Sequence, residues 1–109
     1  MTFIELDTHI AKTGRRSLAI KLVFTLADNL DNHVEGIDLD DFEVASGYTR
    51  TNIRSAASSL KEAGVIDIYY YRESSEEGER VLLRESAKNR WAKQHYRLSS
   101  AVIALLNRA

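Results

Sequence analysis

The chain has 109 residues, with 15 Lys and Arg against 16 Asp and Glu, 44% hydrophobic residues and no cysteine. This length fits a single domain, residues 1–109, and the composition is globular, which excludes a disordered or collagen-like protein. The lack of cysteine excludes a disulfide framework, a thiol nucleophile and a Cys-ligated metal centre. No apolar run approaches the roughly 20 residues of a membrane helix, and no apolar signal segment opens the sequence, so we expect a cytoplasmic protein.

The net charge of −1 hides a sorting of charge along the chain. Residues 28–43 hold seven acids and no Lys or Arg, whereas residues 84–97 hold five bases and one acid. Residues 12–21 hold four bases and no acid. Nucleic-acid-binding proteins usually have a basic surface. The two basic segments are candidates for such a surface, and we expect the acidic segment to face away from it.

The first part of the chain predicts a short strand and a long helix. Alternation over Thr2–Asp7 indicates the strand. Over Arg16–Asp31, apolar residues recur at three- and four-residue spacing and indicate a helix. These residues are Ala19, Leu22, Val23, Leu26, Ala27 and Leu30. Leu18, Ile20 and Phe24 widen the apolar face, so this helix is either the centre of the core or partly covered by a partner subunit.

Two closely spaced helices are predicted next. Ile37–Leu39 fits a short strand, and a brief helix follows from Asp40 or Asp41 through Ala45. A second helix, residues 49–63, begins with Thr49 as N-cap, because its hydroxyl can accept a hydrogen bond from the first-turn backbone. Its apolar residues form one stripe and are Ile53, Ala56, Ala57 and Leu60.

The pattern then changes to strands. Val65–Tyr71 alternates and is rich in residues that favour strands, which predicts a strand with Ile66, Ile68 and Tyr70 on one side. The polar segment Arg72–Glu79 indicates a loop. Arg80–Arg84 indicates another short strand.

The end of the chain allows two interpretations at first. Arg90–Leu98 fits either a strand or part of a helix, and we favour the strand, followed by a helix from Ser99 or Ser100 to about Arg108. Apolar residues cover more than one face of that helix. They predict a homodimer through Val102, Ile103, Leu105 and Leu106.

This order of elements, and above all the residues between Phe42 and Ile66, resembles the winged helix–turn–helix family. Its members have an apolar residue in the second helix, a turn glycine, a capping Ser or Thr, then Val or Ile, small residues and Leu. Those positions are held here by Phe42, Gly47, Thr49, Ile53, Ala56, Ala57 and Leu60. The resemblance implies an α+β fold with three or more helices, a small antiparallel β-sheet wing and a C-terminal helix. Within the family, the chain is similar to MarR-like regulators and to RepL-type replication initiators of plasmids and phages.

One position departs from the family pattern. A small residue, often Ala, stands four before the turn glycine in the family, and Glu43 stands there in this chain. Either the short helix is shifted so that Ala45 takes part of that role, or the two helices cross more loosely.

The resemblance implies a sequence-specific protein for double-stranded DNA, in most cases a dimeric transcriptional regulator whose second helix enters the major groove. A role in plasmid or phage replication or partition is an alternative, and a winged helix that binds another protein is a second one. Arg can contact guanine and Asn can contact adenine through paired hydrogen bonds, while Ser and Thr suit phosphates. The predicted DNA-binding residues of the helix are Thr49, Arg50, Thr51, Asn52, Arg54, Ser55 and Ser58. The alternative for these residues is an ordinary solvated helix surface.

The predicted wing contacts lie in the basic segment. Lys88, Arg90 and Lys93 flank a turn if 90–98 is a strand, and they could reach the DNA backbone or a minor groove; the alternative is a solvated basic face. The acidic segment Arg72–Glu79 would be repelled by phosphate. Bases before the long helix, Arg15 among them, add candidates for phosphate contacts.

Nothing in the sequence predicts an enzyme. The five glycines form no phosphate-binding motif and the three histidines lie far apart. The cluster of Asp38, Asp40 and Asp41 lacks the ligand spacing of a calcium loop and fits a solvated acidic loop. We therefore expect no catalytic residues, no cofactor and no metal site.

Overall fold

Five helices and four strands lie in the part of the chain that the computed structural model describes, which is residues 1–30, 36–73, 80–83 and 93–108. The helices are α1 (Phe3–Lys12), α2 (Arg16–Asp28), α3 (Leu39–Ser46), α4 (Arg50–Glu62) and α5 (Ser100–Asn107). The strands are β1 (Ile37–Asp38), β2 (Ile66–Glu73), β3 (Arg80–Leu83) and β4 (Lys93–Leu98). This is a winged-helix-like α+β fold, as predicted. None of the described helices is long and apolar enough to cross a membrane.

Helix α1 replaces the strand predicted over Thr2–Asp7, so that prediction is wrong. The Thr2 hydroxyl accepts a hydrogen bond from the Glu5 backbone N–H at 3.1 Å, and the Glu5 carboxylate accepts one from the Thr2 N–H at 3.1 Å. This reciprocal pair is a capping box, which stabilises the start of a helix. Leu6 and Ile10, one turn apart, are the buried residues of α1. Their spacing is that of a helix face.

Helix α2 supplies the centre of the core. Its buried residues are Leu18, Ala19, Leu22, Val23 and Leu26, which confirms most of the predicted apolar face. Ile20 is half-buried, whereas Phe24 is 65% exposed. The wide apolar face is therefore mostly explained by the protein's own core, with Phe24 outside it.

The strands form one antiparallel sheet in the order β1-β4-β2-β3. The pairing of β2 with β4 runs from Ile66 opposite Leu98 to Tyr71 opposite Lys93, so the strand interpretation is confirmed for residues 93–98. Strand β2 continues to Glu73, which pairs with Arg80, so the predicted loop begins two residues too early. Positions 74–79 and 84–92 lie outside the described residues.

Strand β1 is held to β4 by a buried pair of side chains. Asp38 and His95 are opposite each other in the register, and the Asp38 Oδ1 and His95 Nδ1 atoms are 2.6 Å apart. Gly36 precedes this strand with φ of 87°, and a Cβ there would lie 2.0 Å from the Tyr96 carbonyl oxygen. Because α3 starts directly after Asp38, this pairing sets the position of α3 on the sheet.

Helix α5 packs into the same core rather than standing free. Ser99 caps it by accepting a hydrogen bond from the Val102 N–H at 3.3 Å. Val102 and Leu105 are buried in the protein's own core, so the prediction that these two face a partner subunit is wrong. Ile103 and Leu106 are partly buried against that core.

Two glycine substitutions test how tightly β1 and the α3–α4 turn are constrained. Gly47 has φ of 77° and space for a Cβ, so Gly47→Ala should lower the free energy of unfolding by about 1–2 kcal/mol, the cost of a left-handed L-residue. Gly36→Ala adds the clash with Tyr96 and should cost clearly more. Urea denaturation of both variants measures the difference. Equal losses would contradict the close approach of Gly36 to β4.

Candidate nucleic-acid interface

The turn between α3 and α4 has the predicted local chemistry. Gly47 ends α3 in the left-handed conformation, which other residues adopt only at a cost. Thr49 then caps α4, and its hydroxyl accepts a hydrogen bond from the Asn52 backbone N–H at 3.3 Å. Ala45 is exposed, and Glu43 is half-buried. Ala45 therefore does not take the place of the small residue that the family has four before the glycine.

The apolar stripe of α4 faces the protein core and so determines which side of the helix is exposed. Its four residues, Ile53, Ala56, Ala57 and Leu60, are each 0% exposed. The opposite face is exposed and carries Arg50, Thr51, Arg54, Ser55 and Ser58, while Asn52 is half-buried. The predicted outward residues are therefore brought onto one surface, with Asn52 at its margin.

Arg54 is the unengaged base of this face. In the described residues it makes neither an ion pair nor a hydrogen bond. Of the other charged residues on the exposed side of the helix, Arg50 lies at its N-terminal end, and Lys61 and Glu62 lie at its C-terminal end. The first turns of α4 thus present one unengaged guanidinium among small hydroxyl side chains.

Arg50 is engaged by the acidic helix before it. Its guanidinium forms an ion pair with Asp40, and its Nη1 lies 4.0 Å from Oε1 of Glu43. The hydrogen bond with Asp40 raises the pKa of Arg50, so this group stays charged. Asp40 and Glu43 of the acidic segment therefore lie beside Arg50, a predicted DNA-binding residue, and do not face away from it.

Asn52 is engaged by a residue that the sequence placed only among general phosphate contacts. Nε and Nη2 of Arg15 donate to the Asn52 Oδ1 at 3.4 and 3.3 Å. Paired contact with adenine needs both the oxygen and the amide nitrogen of Asn. With its oxygen occupied, Asn52 presents its two N–H donors, which suit an acceptor such as a phosphate oxygen. The sequence signal for Arg15 was the stretch of residues 12–21, which has no acid.

The Arg15–Asn52 contact lies in an open cleft between α2 and α4 of about 240 Å³. Its lining consists of Arg15, Arg16, Ser17, Leu18, Tyr48 and Asn52, with no acidic residue among them. Arg16 also forms an ion pair with Asp7 of α1. The cleft extends the donor-rich surface from the start of α4 to the start of α2.

A buried tyrosine lies in the sheet near the α4 arginines. Burial raises the pKa of Tyr96, while the charges of Arg54 and Arg50 act in the opposite direction. Its hydroxyl therefore stays protonated and donates to the Gln94 Oε1 at 2.6 Å. Among the predicted wing residues, Lys93 begins β4, whereas Lys88 and Arg90 lie outside the described residues.

Comparisons of the chain with protein-family models, with curated proteins and with solved structures find no match.

Removal of the α4 cap tests the local geometry of this surface. Thr49→Ala leaves the Asn52 N–H without its acceptor and should lower the free energy of unfolding by about 1 kcal/mol, whereas Thr49→Ser should keep most of it. Urea denaturation of the two variants measures this. A Thr49→Ala variant as stable as the wild type would show that the cap contributes nothing.

Proposed function

We propose that the protein binds double-stranded DNA by placing α4 in the major groove, and that it acts as a transcriptional regulator. The observation that carries the proposal is the exposed face of α4, with unengaged Arg54 and small hydroxyl residues opposite a fully buried stripe. The major groove is about 12 Å wide and admits a helix with such a face. The fold supports the proposal, because winged helices commonly place this helix on DNA.

Each residue of the surface has a distinct role in this proposal. Arg54 donates two hydrogen bonds to the O6 and N7 atoms of a guanine. Thr51, Ser55 and Ser58 contact phosphates or bound water, as small hydroxyl groups commonly do. Arg15 and Asn52 direct their remaining donors at the DNA backbone.

The charge of the protein limits how it binds. A net charge of −1 gives no overall attraction to the negatively charged DNA, so sequence-independent binding through phosphates is modest. Affinity then depends more on base contacts and on a second copy of the chain. In a two-fold dimer, two recognition helices would lie about 34–36 Å apart and match a palindromic site.

Replacement of Arg54 tests the proposed contact with bases. We expect Arg54→Ala to weaken binding to a duplex selected from a random pool by about 1–3 kcal/mol and to relax the sequence preference at one position. Lys61→Ala removes the same charge from the other end of α4 and is the matched control, with a smaller loss. Fluorescence anisotropy measures both affinities.

The salt dependence of the same measurement separates DNA binding from a protein-binding module. The logarithm of the association constant should fall linearly with the logarithm of salt concentration, with a slope of about −0.9 for each phosphate contacted. No detectable duplex binding at low salt would contradict the proposal. Equal losses for Arg54→Ala and Lys61→Ala would contradict the role of Arg54.

A dimer formed through α5 would have to use the side of this helix that is not buried in the protein's own core. Ile103 and Leu106 are the predicted interface residues that remain only partly buried. Sedimentation velocity at micromolar concentration should show a dimer, and Ile103→Lys should shift it toward monomer because a charge would be buried in the interface. A monomeric wild type, or an Ile103→Lys variant that dimerises as well, would contradict this interface.

A further inference from the structure

Two carboxylates stand beside the first residue of the proposed recognition helix. Asp40 pairs with the Arg50 guanidinium, and the Glu43 carboxylate lies 4.0 Å from the same nitrogen. All three side chains are partly exposed, at 48% for Arg50, 39% for Asp40 and 36% for Glu43. The group is thus part of the surface that would meet DNA, and it is negative overall.

We infer that Asp40 and Glu43 determine DNA specificity by making Arg50 a reader of guanine rather than a binder of phosphate. This inference rests on the proposed DNA-binding function. Asp40 and Glu43 act as positioning residues through Arg50, which makes the contact itself.

The hydrogen-bonding capacity of Arg50 permits this role. Arg has five N–H donors in a rigid fork. Nη1 donates to the Asp40 carboxylate and lies 4.0 Å from Glu43 Oε1, and in the described part of the chain the edge formed by Nη2 and Nε has no partner. That edge can donate two parallel hydrogen bonds to guanine O6 and N7 while Asp40 stays in place.

Electrostatics separates the two kinds of acceptor. A phosphate bound by Arg50 would lie well within the Debye length of about 10 Å at 0.1 M salt from both carboxylates, and the like charges would repel. A guanine edge accepts the same hydrogen bonds without a net charge. Sequence-independent binding depends almost entirely on phosphates, so the carboxylates lower non-specific affinity more than specific affinity.

The partial exposure of the ion pair is compatible with this bias. Exposed ion pairs contribute little to stability, because both charges remain solvated. The ion pair therefore favours a guanine over a phosphate as the acceptor for Arg50, while the Arg50 side chain stays free to move in the unbound protein. Removal of the ion pair should leave the fold intact.

Neutral substitutions of the acids provide the test. Asp40→Asn and Glu43→Gln remove the charge at nearly constant shape. Asp41→Asn is the matched control, because Asp41 lies in the same first turn of α3, is exposed, and makes no ion pair with Arg50 in the described residues. The probes are a 20-base-pair duplex selected by the wild-type protein and a random-sequence pool of the same length.

We expect Asp40→Asn to bind the random pool more tightly, with a salt slope steeper by about 0.9, the value of one added phosphate contact. The ratio of specific to non-specific affinity should fall at least about 5-fold, the lower end of what one paired base contact contributes. Glu43→Gln should change both quantities in the same direction, and Asp41→Asn should leave the slope unchanged.

Asp40 has contacts besides Arg50, so the Arg50→Ala background isolates the share that acts through Arg50. In that background Asp40→Asn should no longer change the affinity ratio. Indistinguishable behaviour of Asp40→Asn and Asp41→Asn overturns the inference and leaves the proposed function intact, as does an effect of Asp40→Asn that persists without Arg50. A wild-type protein that binds neither duplex overturns both.

Discussion

The orientation of α4 depends on the complete burial of its apolar stripe. Ile53, Ala56, Ala57 and Leu60 are all 0% exposed, and a helix has a period of 3.6 residues. The residues between them must therefore face outward, which places Arg54 on the surface. The two alanines let α4 lie close to the core, and Thr49 and Gly47 fix where the helix starts. The outward positions of the proposed DNA-binding residues of α4 follow from this single packing constraint.

Charge is then arranged around this fixed helix. Arg54 faces outward, whereas Arg50 forms an ion pair with Asp40 of α3, and Asn52 accepts hydrogen bonds from Arg15. A total charge near zero is therefore not evidence against a nucleic-acid surface, because the acids have specific positions. In the proposed complex with DNA, the acids of α3 restrain Arg50 and leave Arg54 available.

Local signals in the sequence are sufficient to predict α4 and its buried face. They are not sufficient to predict the contacts between different helices and strands. A capping hydroxyl at Thr49, a glycine and an apolar period act within a few residues, so they predicted the turn and the buried face. The capping box of Thr2 and Glu5 is a local feature of the same kind in α1, and the helix it begins replaces the strand that alternation over Thr2–Asp7 predicts. The contact of Asp40 with Arg50 depends on how α3 approaches α4 on the sheet, which periodicity does not specify. Periodicity also cannot separate a core face from an interface, so it predicts Val102 and Leu105 at a dimer interface although both are buried in the core.

An NMR titration of the isotope-labelled protein with a selected 20-base-pair duplex tests most directly whether α4 binds DNA. We expect the backbone amide shifts to concentrate in residues 49–58 and at Arg15. Helix α1 should show only small changes, apart from Asp7, which forms an ion pair with Arg16. Shifts concentrated in α1 and α5, with α4 unchanged, would contradict the assignment of α4 as the DNA-binding helix.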